Sequence, residues 1–199
     1  MSIFSTGGHK EPLRTFIAIR LPLDMAATLN KKARHRAGEA LAGQLRWTAP
    51  QQQHITLRFL GASQPDQLKQ VIDRLEYELS GEAEFDCMTG RFEFFPGARH
   101  PRVLALGMHS GQELKRLARA CEQVAIDSGF SKEMRSFRPH VTLARFNGQH
   151  HVTHSRFFQL PSYRMTASEV VLMQSEPKSS GFHYKVLHSF PLERAAIPA

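Results

Sequence analysis

One supersecondary unit is written twice in this chain, and that repeat constrains the fold more than any other feature. The strand-like "FIAIR" begins at Phe16, and His54 opens "HITLRFLG" 38 residues later. The strand-like "VLALGM" begins at Val103, and His140 opens "HVTLARF" 37 residues later. A helical stretch lies between strand and histidine each time. Two such units predict two lobes related by a pseudo-two-fold axis. An axis of that kind brings equivalent residues face to face across a cleft.

Alternate residues of a strand share a face. His54, Thr56 and Arg58 therefore point one way, with Ile55, Leu57 and Phe59 behind them. His140, Thr142 and Ala144 share one face, with Val141 and Leu143 behind; Arg145 alternates away from His140. A third triplet, His151-Val152-Thr153, lies in the polar setting "GQHHVTHS". It lacks the leucine after threonine and the repeat spacing, so it reads as a loop. His150, His151 and His154 are assigned there to solvated loop rather than to a metal.

The rest of the chain supports the repeat. Pro65 and Asp66 open a helix whose stripe is Leu68, Val71, Ile72, Leu75 and Leu79, ended by Gly81. Residues 110–129 read as a helix with Ser110 as N-cap and Glu113 in the capping-box position. "FDCMTGRFEFFPGARHPRVLALGM" reads as a hairpin turning at Pro-Gly. Two further strands, 168–175 and 183–192, flank the polar loop "EPKSSGF". The fold class expected is α+β: two pseudo-symmetric lobes, each an antiparallel-rich sheet with outer helices, and an active-site cleft between them. Residues 1–13 read as a flexible tail and 14–199 as one bilobal domain.

A net charge of +8 and a pI near 9.9 favour an anionic partner, nucleic acid first. Cys87 and Cys121 stand alone, with no CxxC spacing, which fits a reduced cytoplasmic protein rather than a zinc site or a disulfide framework. No apolar run approaches the ~18 residues of a membrane span. The carboxylates form no Asp/His ligand cluster, so no metal and no cofactor are expected.

Two imidazoles near neutral pKa can serve as acid and base for a phosphodiester, and hydroxyls two residues away can meet the charge on its oxygens. The paired His-x-Thr tetrads resemble those of the two-histidine (2H) phosphoesterase superfamily. "FIAIRLP", "LRWTAPQQQHITLRFLG", "FPGARHPRVLALG", "FRPHVTLAR" and "LMQSEPKSSGFHYKVLHSFPL" resemble, in order, its bacterial RNA 2′,3′-cyclic phosphodiesterase branch, also called 2′-5′ RNA ligase. The resemblance implies opening of RNA 2′,3′-cyclic phosphate ends to 2′-phosphomonoesters, with His54 as proton donor and His140 as acceptor, and 2′-5′ ligation as the reverse. Thr56 and Thr142 would bind phosphate. Arg58, Trp47, Ser175 and Tyr184 are further candidates for substrate contact, although Trp47 also suits a core position. A monomer acting on RNA ends or a related nucleotide is expected. A phosphodiesterase for another cyclic or 2′-5′-linked nucleotide, or a non-catalytic RNA-binding module, stays open. Two departures stand out: Ala105 where the family often has tryptophan, and Pro50-Gln51-Gln52-Gln53 where it usually reads Pro-Glu-Asn-Leu. Neither is expected to touch the chemistry, but both can alter substrate fit.

Overall fold

The structure is a computed structural model that describes residues 11–37, 41–148, 152, 161–178 and 181–194. Most of the expected tail at 1–13 and the candidate loop histidines His150, His151 and His154 lie outside these residues, whereas Leu13 already opens the first strand. Its elements run β1 (Leu13–Arg20), α1 (Leu23–Ala37), β2 (Leu45–Trp47), β3 (His54–Ser63), α2 (Pro65–Glu78), β4 (Phe85–Phe95), β5 (Val103–His109), α3 (Glu113–Asp127), β6 (His140–Phe146), β7 (Arg164–Ala167), β8 (Glu169–Lys178) and β9 (Gly181–Pro191).

The strands form a sheet in the order β7-β4-β5-β6-β3-β1-β8-β9, with β2 added on β6. Every pairing between these strands is antiparallel. The order splits at its centre into two four-stranded halves, β3-β1-β8-β9 and β6-β5-β4-β7. Each half carries one copy of the repeat, β1-α1-β3 or β5-α3-β6. They join at β3 and β6, where Ile55 pairs with Val141. Antiparallel register then puts His54 across from Thr142, and Thr56 across from His140.

The apolar stripes settle which face is covered. Leu68, Val71, Ile72 and Leu75 of α2 are buried, as are Leu114, Leu117, Ala118 and Cys121 of α3. They pack with Ile17, Ile19, Ile55, Leu106, Val141 and Leu143 into one core. Truncating one such leucine to alanine typically costs ~2–5 kcal/mol. The opposite face holds a smaller cluster of Phe16, Ala18, Val171 and Met173, with Tyr184 and Val186 against it. That face carries the histidines.

Both histidine strands bulge at the same place. Ala18 pairs with Thr56 and Ile17 with Arg58, so Leu57 is the extra residue. Ala105 pairs with Thr142 and Leu104 with Ala144, so Leu143 is the extra residue. Its carbonyl accepts a hydrogen bond from the Thr48 N–H at 2.8 Å. A bulge resets the alternation beyond it. This overturns the expected faces of two arginines. Arg58 lies opposite Ile17 on the helix side rather than beside His54, and Arg145 lies opposite Val103 and Arg46 on the His140 side.

Smaller differences have local causes. Helix α3 starts at Glu113, not Ser110, yet the Ser110 hydroxyl still accepts from the Leu114 N–H at 2.9 Å. Strands β8 and β9 run through most of "EPKSSGF" as a long hairpin. Strands β2 and β7 are too short, at 3 and 4 residues, to show an alternation in sequence.

Candidate active site

Each histidine opens its strand and is oriented by the segment just before it. Nδ1 of His54 donates to the carbonyl of Gln52 at 2.8 Å. Nδ1 of His140 donates to the carbonyl of Arg138 at 2.7 Å. A carbonyl can only accept, so in both rings the proton sits on Nδ1 and Nε2 keeps its lone pair. The same bond, to the residue two positions back, occurs in both halves.

Aromatic rings fix the planes. The His54 ring lies 4.8 Å from Phe16 and 5.0 Å, edge-on, from Tyr184. The His140 ring stacks on Phe95 at 4.4 Å. The His54 pKa is pushed down to about 4, by burial first, against the raising effect of the Gln52 hydrogen bond, and with smaller contributions from the neighbouring His140 and Arg145. Burial also lowers His140, but here the Arg138 carbonyl and then the Glu93 carboxylate act to raise it. The two equivalent imidazoles thus sit in unequal fields.

Thr56 and Thr142 sit on the histidine face, half-buried. A cavity of about 770 Å³ opens beside Thr56 and His140, walled by Phe59, Phe95 and Phe137 and rimmed by Lys115, Arg119, Arg135 and Arg138. A second, of about 480 Å³, lies on the His54 side, with Arg46, Arg145, Lys178, His183 and Tyr184 in its wall. The strands therefore bring the two His/Thr pairs together between two partly cationic hollows.

The remaining candidates separate. Tyr184 is at the site, against His54. Ser175 pairs with Tyr184 in the β8–β9 register, on the strand one step nearer to β3, but it is Tyr184 whose ring meets the histidine. Trp47 pairs with Ala144, packs on the core and carries the Arg34 guanidinium 5.0 Å from its ring centre, which matches its core reading. Its edge still lines the second cavity. Arg58 is 7% exposed and ion-pairs with Glu122 of α3, and it also donates to the carbonyls of Phe59 and Ser131. It borders the larger cavity, but its donors are engaged in holding α3 and the 131 loop.

Sequence reasoning missed Glu93, Phe95, Arg138 and Gln52. The dipeptides before each histidine, "QQ" and "RP", were visible, but nothing in them announced a carbonyl aimed at a ring. Within the Pro50–Gln53 departure the Gln52 side chain accepts from the Tyr184 N–H at 2.6 Å, tying β9 to the segment that orients His54. Among the described residues, no group of three or more His, Cys, Asp or Glu side chains is placed to hold a metal ion. No described helix is long and apolar enough to cross a membrane.

Comparison with known proteins gives a consistent picture. Residues 28–178 match the family model for the 2′-5′ RNA ligase superfamily. An RNA 2′,3′-cyclic phosphodiesterase of Bacillus subtilis (strain 168) is 34% identical over 131 residues, covering 65% of this chain and 69% of that protein. One of the same name from Aquifex aeolicus (strain VF5) is 29% identical over 155 residues, 74% of this chain and 81% of its own. The crystal structure of E. coli LigT in apo form is similar at TM-score 0.71 and 26% identity, covering 92% of this chain and 99% of that one. The same protein complexed with 3′-AMP gives TM-score 0.71 at 25% identity, with the same coverage of 92% and 99%.

Proposed function

This chain belongs to the 2′-5′ RNA ligase superfamily, and on that premise we propose that it opens 2′,3′-cyclic phosphate ends of RNA to 2′-phosphomonoesters, using His54 and His140 as an acid–base pair. Relatives named RNA 2′,3′-cyclic phosphodiesterase support the activity. One observation carries the mechanism: two His/Thr pairs meet across β3 and β6, and each histidine is held with Nε2 free by a carbonyl two residues upstream.

The step balances with this chain's residues and water alone. His140 Nε2 takes a proton from water as the water oxygen bonds to phosphorus. The bond from phosphorus to the 3′ oxygen breaks, and His54 gives that oxygen its proton. The product is a 2′-phosphate with a free 3′-hydroxyl. Thr56 and Thr142 donate to the non-bridging oxygens, where charge builds in the transition state. In the empty site burial keeps His54 neutral, so its donor role draws on the substrate: the phosphate monoanion favours the imidazolium beside it. Arg145, on the same face, adds a second positive partner. The aromatic wall of the larger cavity suits a nucleobase, and its cationic rim suits flanking phosphates. Run backwards, the same pair would join a 5′-hydroxyl to a cyclic phosphate end.

The test is incubation of the protein with an RNA carrying a 2′,3′-cyclic phosphate end, with phosphorus NMR of the product. Wild type is expected to give a 2′-phosphate, and His54→Ala and His140→Ala to give none. A 3′-phosphate product would reverse the leaving oxygen. Binding without turnover would leave only an RNA-binding module.

A further inference from the structure

The halves match in their histidines, threonines and bulges but not in the charge beside each ring. His54 has Arg145 from β6 as its charged neighbour besides His140. Against His140 stand Glu93 from β4 and Arg138 from its own approach segment, with His54 across the seam on β3. Strand β5 contributes no charge there. Its residues facing Thr142 and His140 are Ala105 and Gly107.

Those two small residues open a path. Glu93 pairs with Ala105 across β4 and β5. Its Oε1 would lie 2.8 Å from a Cβ at position 107, so the carboxylate occupies the space that a side chain at Gly107 would fill. From there Glu93 reaches the segment that leads into His140. It ion-pairs with Arg138. The Arg138 guanidinium lies 4.4 Å from the centre of the Phe95 ring, and Phe95 stacks at 4.4 Å on His140. The Arg138 carbonyl accepts a hydrogen bond from the His140 Nδ1–H at 2.7 Å. The chain of contacts runs from carboxylate to guanidinium to phenyl ring to imidazole, and returns to the backbone of the same arginine.

We propose that Glu93 is a positioning residue for His140: reaching over Ala105 and Gly107, it anchors Arg138 and Phe95 around the imidazole and makes His140, rather than His54, the ring that accepts a proton. It touches no reacting atom. The assignment rests on the acid–base reading above for its consequence in turnover. The placement of the carboxylate stands on geometry alone.

The experiment is 15N NMR titration of both histidine rings in the full chain, wild type against Glu93→Gln and Glu93→Asp, followed by pH–rate profiles on the cyclic-phosphate RNA. Removing a nearby carboxylate favours the neutral ring, so Glu93→Gln is expected to move the His140 titration down by about half a unit or more, with His54 nearly still. Glu93→Asp should recover part of the shift. The basic limb of kcat should follow His140, with KM within about two-fold. A His140 titration that does not move, or one that moves equally with His54, overturns the proposal. If the RNA is not turned over, the NMR result still decides the placement of Glu93, and only the reading of the reaction fails.

Discussion

Across the seam between β3 and β6, His54 faces Thr142. The residue directly opposite each histidine is thus the threonine of the other half. A phosphate set between the rings would meet both threonines at once. Thr56→Val and Thr142→Val keep shape and remove the donor. Each is expected to lower kcat about 10²-fold with little change in KM, the signature of an interaction made in the transition state. Steady-state kinetics on a cyclic-phosphate RNA check this, and a rise in KM at constant kcat would place the hydroxyls in ground-state binding instead.

His54 ties stability to acid. Its pKa is about 4 when folded, against about 6.5 for a free imidazole. Between those values the unfolded chain binds more protons, so stability falls as pH drops from ~6.5 towards ~4. The loss attributable to this ring approaches ~3 kcal/mol. Urea unfolding at pH 7 and pH 4.5 should show a smaller drop for His54→Gln than for wild type. Equal drops would mean the ring is not held neutral.

Arg58 predicts a stability effect rather than a catalytic one. Glu122→Ala leaves a buried guanidinium without its carboxylate and is expected to cost about 3 kcal/mol. Denaturant unfolding measures it. Arg58→Met with Glu122→Leu should regain most of the loss, because no charge is then stranded.

Cys87 and Cys121 are both fully buried, and burial raises each thiol to about 12. Neither should react with a maleimide in the folded protein at neutral pH, and both should react in denaturant. Rapid labelling of the native chain would show that the core opens.

The helices α2 and α3 were legible because their stripes are apolar at helical spacing, and the two tetrads because polar and apolar residues alternate so plainly around them. The halves of the sheet could be anticipated from the repeat alone. The bulges could not. Leu57 and Leu143 look like ordinary alternating residues, since a bulge inserts a residue without changing its type. Arg58 and Arg145 were therefore placed on the wrong faces by the same one-residue reset. Glu93 was hidden for a different reason: its importance comes from what β5 lacks at positions 105 and 107, and no spacing within β4 reports on a neighbour's small side chains.

The join between Ile55 and Val141 ties chemistry to the interior. Both side chains are fully buried and belong to the main core. The residues on either side of each are the histidine and threonine of the site. The separation of the two histidines is thus set from beneath, by how two aliphatic side chains rest on the helices. A smaller or larger residue at 55 or 141 would register as a change in turnover as well as in melting temperature. Such an enzyme cannot be tuned at its surface alone; its reaction geometry is inherited from its packing.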